Sequence, residues 1–135
     1  MSTEKHEIRI RVRYVETDAM GCLHHSNYFH YFEMGRTELF RANGGDYRAM
    51  EASGLFLVVV KLCCQYLKPA RYDDLLTLET SLTKISAAKL LHGYRLLREQ
   101  ELIATGESTL ACVNREGTVQ RIPRDLPGFG DVASA

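Results

Sequence analysis

The chain has 135 residues, enough for one domain that buries roughly two-thirds of its unfolded surface. Seventeen Lys and Arg balance seventeen Asp and Glu, so the charge gives no support to a nucleic-acid or membrane surface. No apolar run reaches the ~20 residues of a membrane helix, and the polar start MSTEKHEIRIRV lacks the apolar core of a signal peptide. The four cysteines, Cys22, Cys63, Cys64 and Cys112, form no CxxC pair, and the expectation is reduced thiols in a cytoplasmic protein.

In chain order, IRIRVRY (residues 8–14) alternates apolar and basic residues, which predicts a half-buried strand with Ile8, Ile10, Val12 and Tyr14 inward. A turn, ETDAMG, follows. Residues 27–42 predict a long helix: Tyr28, Phe32, Gly35, Leu39 and Ala42 recur at helical spacing. Ser26 or Asn27 is placed to cap its start, and Asn43-Gly44-Gly45 stops it. Phe29, Tyr31, Met34 and Phe40 widen its apolar arc, so the helix should be mostly buried. Residues 46–53 read as a short second helix ended by Gly54.

The remainder reads as strand: 55–67, ending before Pro69, then 74–85, 88–99, 101–114 and a short piece at 117–122. Turns at Ser86-Ala87, Glu99-Gln100 and Arg115-Glu116-Gly117 predict successive antiparallel hairpins, a meander of four long strands. From Gly128 onward the chain reads as a frayed tail. The expected architecture is a single α+β domain, one antiparallel sheet wrapped around one apolar helix. Open sheet edges and leftover apolar surface point to association of two copies.

Within ETDAMGCLHHSNYFHYFE (residues 16–33), a carboxylate, two histidines and a helix N-terminus fall close together. A helix N-terminus offers unpaired N–H donors and about half a positive charge, suited to a developing oxyanion. Asp18 can serve as general base on water or as nucleophile, or simply as a turn-forming Asp with an Asx bond. His25 can donate to a substrate oxygen, hold a water or orient Asp18, or only pack at the helix start. Tyr14 reads as core or as a catalytic hydroxyl, and Asn27 as N-cap, turn lock or substrate contact. Cys22-x-His24-His25 lacks the remaining ligands of a metal site, so no bound metal is expected, and one Cys beside a His makes no nucleophilic dyad. No Gly-x-Ser-x-Gly elbow is present.

The motif Tyr14-x-x-x-Asp18-x-x-Gly21-x-x-x-His25-x-Asn27-Tyr28, with YLKPARYDDLLTLET downstream, resembles the hotdog-fold acyl-CoA thioesterases. The nearest likeness is to the 4-hydroxybenzoyl-CoA thioesterase group and the Tol–Pal-associated acyl-CoA thioesterases, over residues 7–124. The resemblance implies a sheet wrapped around the central helix, a homodimer or tetramer of dimers with sites at the dimer interface, and no cofactor. It implies hydrolysis of an acyl-CoA or acyl-carrier-protein thioester with Asp18 as catalytic carboxylate. Tyr14 and His25 match positions that carry Tyr and His in the Tol–Pal-associated branch. Asn27 and Tyr28 fall in the motif as substrate-side residues. Lys84 and Lys89 are the basic residues left in the turn that the family uses for CoA phosphates, and solvated charge is their alternative role. A hotdog enoyl-thioester hydratase or dehydratase, and a non-catalytic thioester-binding module, are the competing classes.

Overall fold

The computed structural model describes residues 4–129. Its elements are β1 (Lys5–Arg11), a 3-10 turn (Tyr14–Glu16), α1 (Asn27–Ala42), α2 (Tyr47–Ala52), β2 (Phe56–Tyr66), β3 (Leu75–Ile85), β4 (Lys89–Arg98) and β5 (Glu101–Val113). The five strands make one antiparallel sheet in the order β1-β3-β4-β5-β2. This is the α+β, hotdog arrangement expected, with α1 as the helix inside the wrap.

Helix α1 buries Tyr28, Tyr31, Phe32, Gly35, Arg36, Leu39 and Phe40, a stripe at the three- and four-residue spacing of one helical face. Two glycines permit the close approach. A Cβ on Gly35 would overlap Thr80 and Leu78 of β3, and one on Gly106 would overlap Phe32. Phe32 therefore lies flat on Tyr94 of β4, ring centroids 4.3 Å apart. Gly44, at φ 87°, turns the chain out of α1, and the Asp46 carboxylate caps α2 by accepting from Ala49 N (3.1 Å).

The apolar core divides in two. One cluster surrounds the first half of α1, with Tyr28, Tyr31 and Phe32 against Leu76, Leu78, Leu96 and Ile103. The other surrounds its second half, with Leu39 and Phe40 against Leu82, Ile85, Leu90, Leu110 and Phe129. Between them lie buried polar groups: Arg36, Thr80, His92 and Ser108.

The structure corrects four expectations. The strands after α1 are not a simple meander: β3, β4 and β5 are, but β2 pairs with β5 and forms the sheet edge. The link from β2 to β3 instead crosses the end of the sheet at the start of α1, where Ala70 O accepts from Leu23 N (2.7 Å) and Cys22 bridges to Arg71. Tyr14 is not an inward residue of the first strand. The strand ends at Arg11, the chain turns at Arg13, and Tyr14 is 77% exposed, edge-on to Tyr72. Residues 117–122 form no named strand; they are held by the bridge Val113↔Val119 and by bonds that include Gln120 N to Cys112 O and Ile122 N to Ala87 O. The tail expected from Gly128 is not frayed where it is described: Phe129 is buried against Phe40, and residues 130–135 lie outside the described residues.

Candidate active site

The site is built on the loop between β1 and α1, and Glu16 is its pin. The Glu16 carboxylate is buried and accepts from Arg13 N (2.8 Å), Tyr31 Oη (2.7 Å) and Arg13 Nη2 (3.2 Å). Burial pushes its carboxyl up, yet the bonds from the Arg13 main chain, Tyr31 and the Arg13 guanidinium outweigh it and hold the group below the usual carboxylate range. Its carbonyl oxygen accepts from His24 N (2.8 Å) and from Asn27 Nδ2 (2.9 Å). Glu16 thereby clamps both ends of the segment that carries Asp18 and His25. Asn27 is a turn lock in this structure; its side chain reaches back to the loop rather than capping α1.

Residues 17–23 form a tight loop closed by the Thr17↔Leu23 bridge and turned at Gly21, φ 79°. Asp18 shapes it: Oδ1 accepts from Met20 N (2.9 Å) and Cys22 N (3.1 Å), and Asp18 N donates to Cys22 O (2.8 Å). This is the Asx geometry foreseen as its bland role, and it occupies only one carboxylate oxygen. Oδ2 has no partner among the described residues.

Asp18, His25 and Tyr28 line one open hollow of about 300 Å³ between this loop, the start of α1 and the end of β2. Tyr66 of β2 donates its hydroxyl to His25 O (3.0 Å) and packs edge-on against Tyr28, centroids 4.7 Å apart. Burial pushes the Tyr66 hydroxyl up to about 12, so it remains a donor at neutral pH. The Ser26 side chain makes no capping bond, so the first-turn N–H groups of α1, which have no acceptor within the helix, are left without their usual side-chain partner.

Tyr14 does not line the hollow. Neither do Lys84 and Lys89, which are exposed at the β3–β4 hairpin. Lys89 stands beside Ala111 in β5, seven positions from Ala104, which pairs with Tyr66; that is about 23 Å along the strand. A larger hollow, of about 690 Å³, flanks the C-terminal end of α1 around Thr37, Arg41 and Arg48, and its one carboxylate, Asp46, is engaged in capping α2. Among the described residues no three His, Cys, Asp or Glu side chains are grouped to hold a metal ion. Glu16 and Tyr66 were not foreseen. Neither carried a sequence signal: Glu16 accepts from Arg13 N three residues back, but an arginine cannot supply the accepting half of a capping box, and Tyr66 is joined to His25 across 41 residues.

The sequence model of the Thioesterase-like superfamily matches residues 12–129. The chain belongs to this superfamily. It is 32% identical over 128 residues to the acyl-CoA thioester hydrolase YbgC of Escherichia coli, covering 94% of this chain and 93% of that one. It is 36% identical over 106 residues to the acyl-CoA thioesterase YbgC of Haemophilus influenzae, covering 78% of each. The solved structure of a DHNA-CoA thioesterase from Staphylococcus aureus superposes with a TM-score of 0.86 at 30% identity, over 89% of this chain and 82% of that one. The resemblance drawn from the Tyr14-to-Tyr28 motif is thus borne out at the level of family and fold.

Proposed function

We propose that this member of the thioesterase-like superfamily hydrolyses acyl-CoA thioesters in the hollow at the start of α1. It is a thioester hydrolase by family; the residue roles and the carrier are our reading. The observation that carries it is the convergence of an open Asp18 Oδ2, His25 and an uncapped helix N-terminus on one hollow. The thioester carbonyl oxygen sits on the first-turn N–H groups of α1, where the aligned peptide dipoles stabilise the oxyanion. Asp18 Oδ2 takes a proton from water as its oxygen bonds to the carbonyl carbon, or bonds to that carbon itself. Collapse of the tetrahedral intermediate breaks the C–S bond and releases the thiolate, which takes up a proton; the first route leaves the free acid, and the second leaves an acyl anhydride on Asp18 that one water then splits into the free acid and the Asp18 carboxylate. His25 donates to the carbonyl oxygen or holds the water. Tyr28 lines the site, Asn27 locks the loop that carries Asp18, and Tyr14 has an outer role at most within one copy of the chain.

The free edge β2 leaves Val58, Val59, Val60 and Leu62 exposed, which supports a homodimer joined along that edge. Free thiols at all four cysteines fit a cytoplasmic location. A thiol-release assay over a panel of acyl-CoA and acyl-carrier-protein substrates tests the reaction. Asp18→Asn keeps the loop's acceptor oxygen and removes base and nucleophile together, so kcat should fall at least ~100-fold, about 2.7 kcal/mol, with KM little changed. A near wild-type rate for that variant would overturn the site. Absence of turnover in the wild type on every thioester would leave a binding module.

A further inference from the structure

We propose that His24 is a positioning residue that keeps the start of α1 uncapped and so available to substrate; this rests on the hydrolytic reading above. His24 Nδ1 lies 3.2 Å from Ser26 N and 2.9 Å from Ser26 Oγ. A main-chain N–H can only donate, so Nδ1 is an acceptor and the ring carries its proton on Nε2. The Ser26 hydroxyl facing the same lone pair is therefore also a donor, directed at the imidazole. The ring is braced from the other side by His25, stacked at 4.1 Å with 29° between planes, and its main chain is fixed by Glu16 O.

Ser26 occupies the N-cap position, where a serine ordinarily accepts from the N–H two or three residues on, here Tyr28 or Phe29. Those are the donors the proposed oxyanion needs. Ser26 instead has helical φ and ψ of −66° and −27°, and its side chain makes no capping bond. His24 accounts for this: by accepting from both the N–H and the hydroxyl of Ser26, it holds the serine in the wrong conformation to cap. The helix forgoes a stabilising bond and the site retains its donors, a trade of stability for function.

The test uses three variants, with kcat and KM on the best acyl-CoA and the thermal midpoint of each. His24→Phe keeps a ring to stack on His25 but loses the acceptor, freeing Ser26 to cap. Its kcat should fall about tenfold, the equivalent of one hydrogen bond, while Tm rises by about 2–4 °C. His24→Asn places an amide oxygen where Nδ1 stood and should restore kcat to within about threefold of wild type. In His24→Phe/Ser26→Ala no hydroxyl remains to cap, so kcat should recover and the gain in Tm should vanish. A His24→Phe enzyme with wild-type kcat and Tm overturns the proposal. So does a double variant as slow as the single one, because the imidazole itself would then be what matters. If the wild type turns over no thioester, the hydrolytic reading fails separately, and the Tm pattern alone decides whether His24 governs the cap.

Discussion

The two ends of α1 treat polar groups in opposite ways. At the N-terminal end, Glu16, Asp18, His24, Asn27 and Tyr66 are held by short bonds to the main chain, and what is left open faces a hollow. At the C-terminal half, Arg36 and His92 are buried among Leu39, Phe40, Leu82 and Leu90, and among the described residues Arg36 Nη1 and His92 Nδ1 have no hydrogen-bond partner, like Thr80 Oγ1 nearby. Arg36 has Glu33, exposed and 3.6 Å away, as its counter-charge among the described residues. The difference teaches where rigidity comes from. The first end is fixed by polar bonds that leave it open to solvent; the second is fixed by packing so close that unsatisfied groups are tolerated. Substitutions at the first end should therefore change rate, and those at the second should change stability.

The largest expected effect is at the packed end. Phe40 lies 4.5 Å from Tyr47 and 5.2 Å from Phe129, ring to ring, and its removal opens a cavity that rigid neighbours cannot fill. Phe40→Ala should destabilise the fold by about 3–5 kcal/mol in denaturant titration, with kcat per folded molecule unchanged. A tenfold loss of kcat in the folded variant would break the division between the two ends.

Acid should expose the same end next. Burial, then the Arg36 charge, lowers the His92 imidazole to about 3 from an ordinary 6.5. The groups around it are Arg36, the Tyr94 ring at 6.3 Å and, paired across the strands, Ser108 and Leu82. Because the folded value is depressed, the unfolded chain takes up a proton that the folded one refuses. The His92 contribution is complete above pH 6.5 and is lost as pH falls from 6.5 towards 3, amounting to about 3 kcal/mol by pH 4. Glu16, also lowered, adds its loss only as pH falls below the ordinary carboxylate value of 4.5. His92→Gln should flatten the stability curve between pH 6.5 and 4.5; an unchanged slope would show that the imidazole does not titrate with unfolding.

His25 sharpens the comparison from the other side. Its ring is exposed and only stacked, so His25→Ala should leave stability within about 0.5 kcal/mol. Turnover should fall tenfold or more, within the range of acid–base groups. An effect below threefold would leave catalysis to the backbone donors alone.

These contrasts bear on what the sequence could disclose. The long strands and α1 were legible because each repeats a period of two or 3.6 over ten residues or more. Asp18 and His25 were legible as a pair because one short loop carries both, so no knowledge of the fold was needed to bring them together. The place of β2 was not, since nothing local in residues 55–67 distinguishes β5 from β3 as a partner; the choice is made by the crossing link at 67–74. Tyr14 was misread because strand periodicity was carried three residues too far, past the point where Glu16 captures Arg13 N. That capture depends on Tyr31, fifteen residues on, which holds the Glu16 carboxylate in the core. The burial of Phe129 likewise depends on a surface made by Phe40, in another element.

The smallest expected effect tests whether the two ends cooperate in binding. Lys84 and Lys89 sit at the hairpin that packs Ile85 and Leu90 beneath Leu39 and Phe40, so they belong to the packed end. At about 17 Å (Lys84) and about 23 Å (Lys89) along the strands from the Tyr66 level they cannot touch the reacting carbonyl, yet a carrier's long pantetheine arm separates its phosphates from the thioester by a span of that order. Two exposed ammonium groups attract such phosphates weakly and in a salt-dependent way. The double substitution Lys84→Ser/Lys89→Ser should raise KM for acyl-CoA about two- to threefold at low ionic strength and leave kcat alone. The difference should shrink in 0.5 M salt, and an acyl-pantetheine substrate without the nucleotide should show none. A loss of kcat would place the lysines in the chemistry of the hollow. An unchanged KM at low salt would return them to plain solvated charge and confine substrate recognition to the loop at the start of α1.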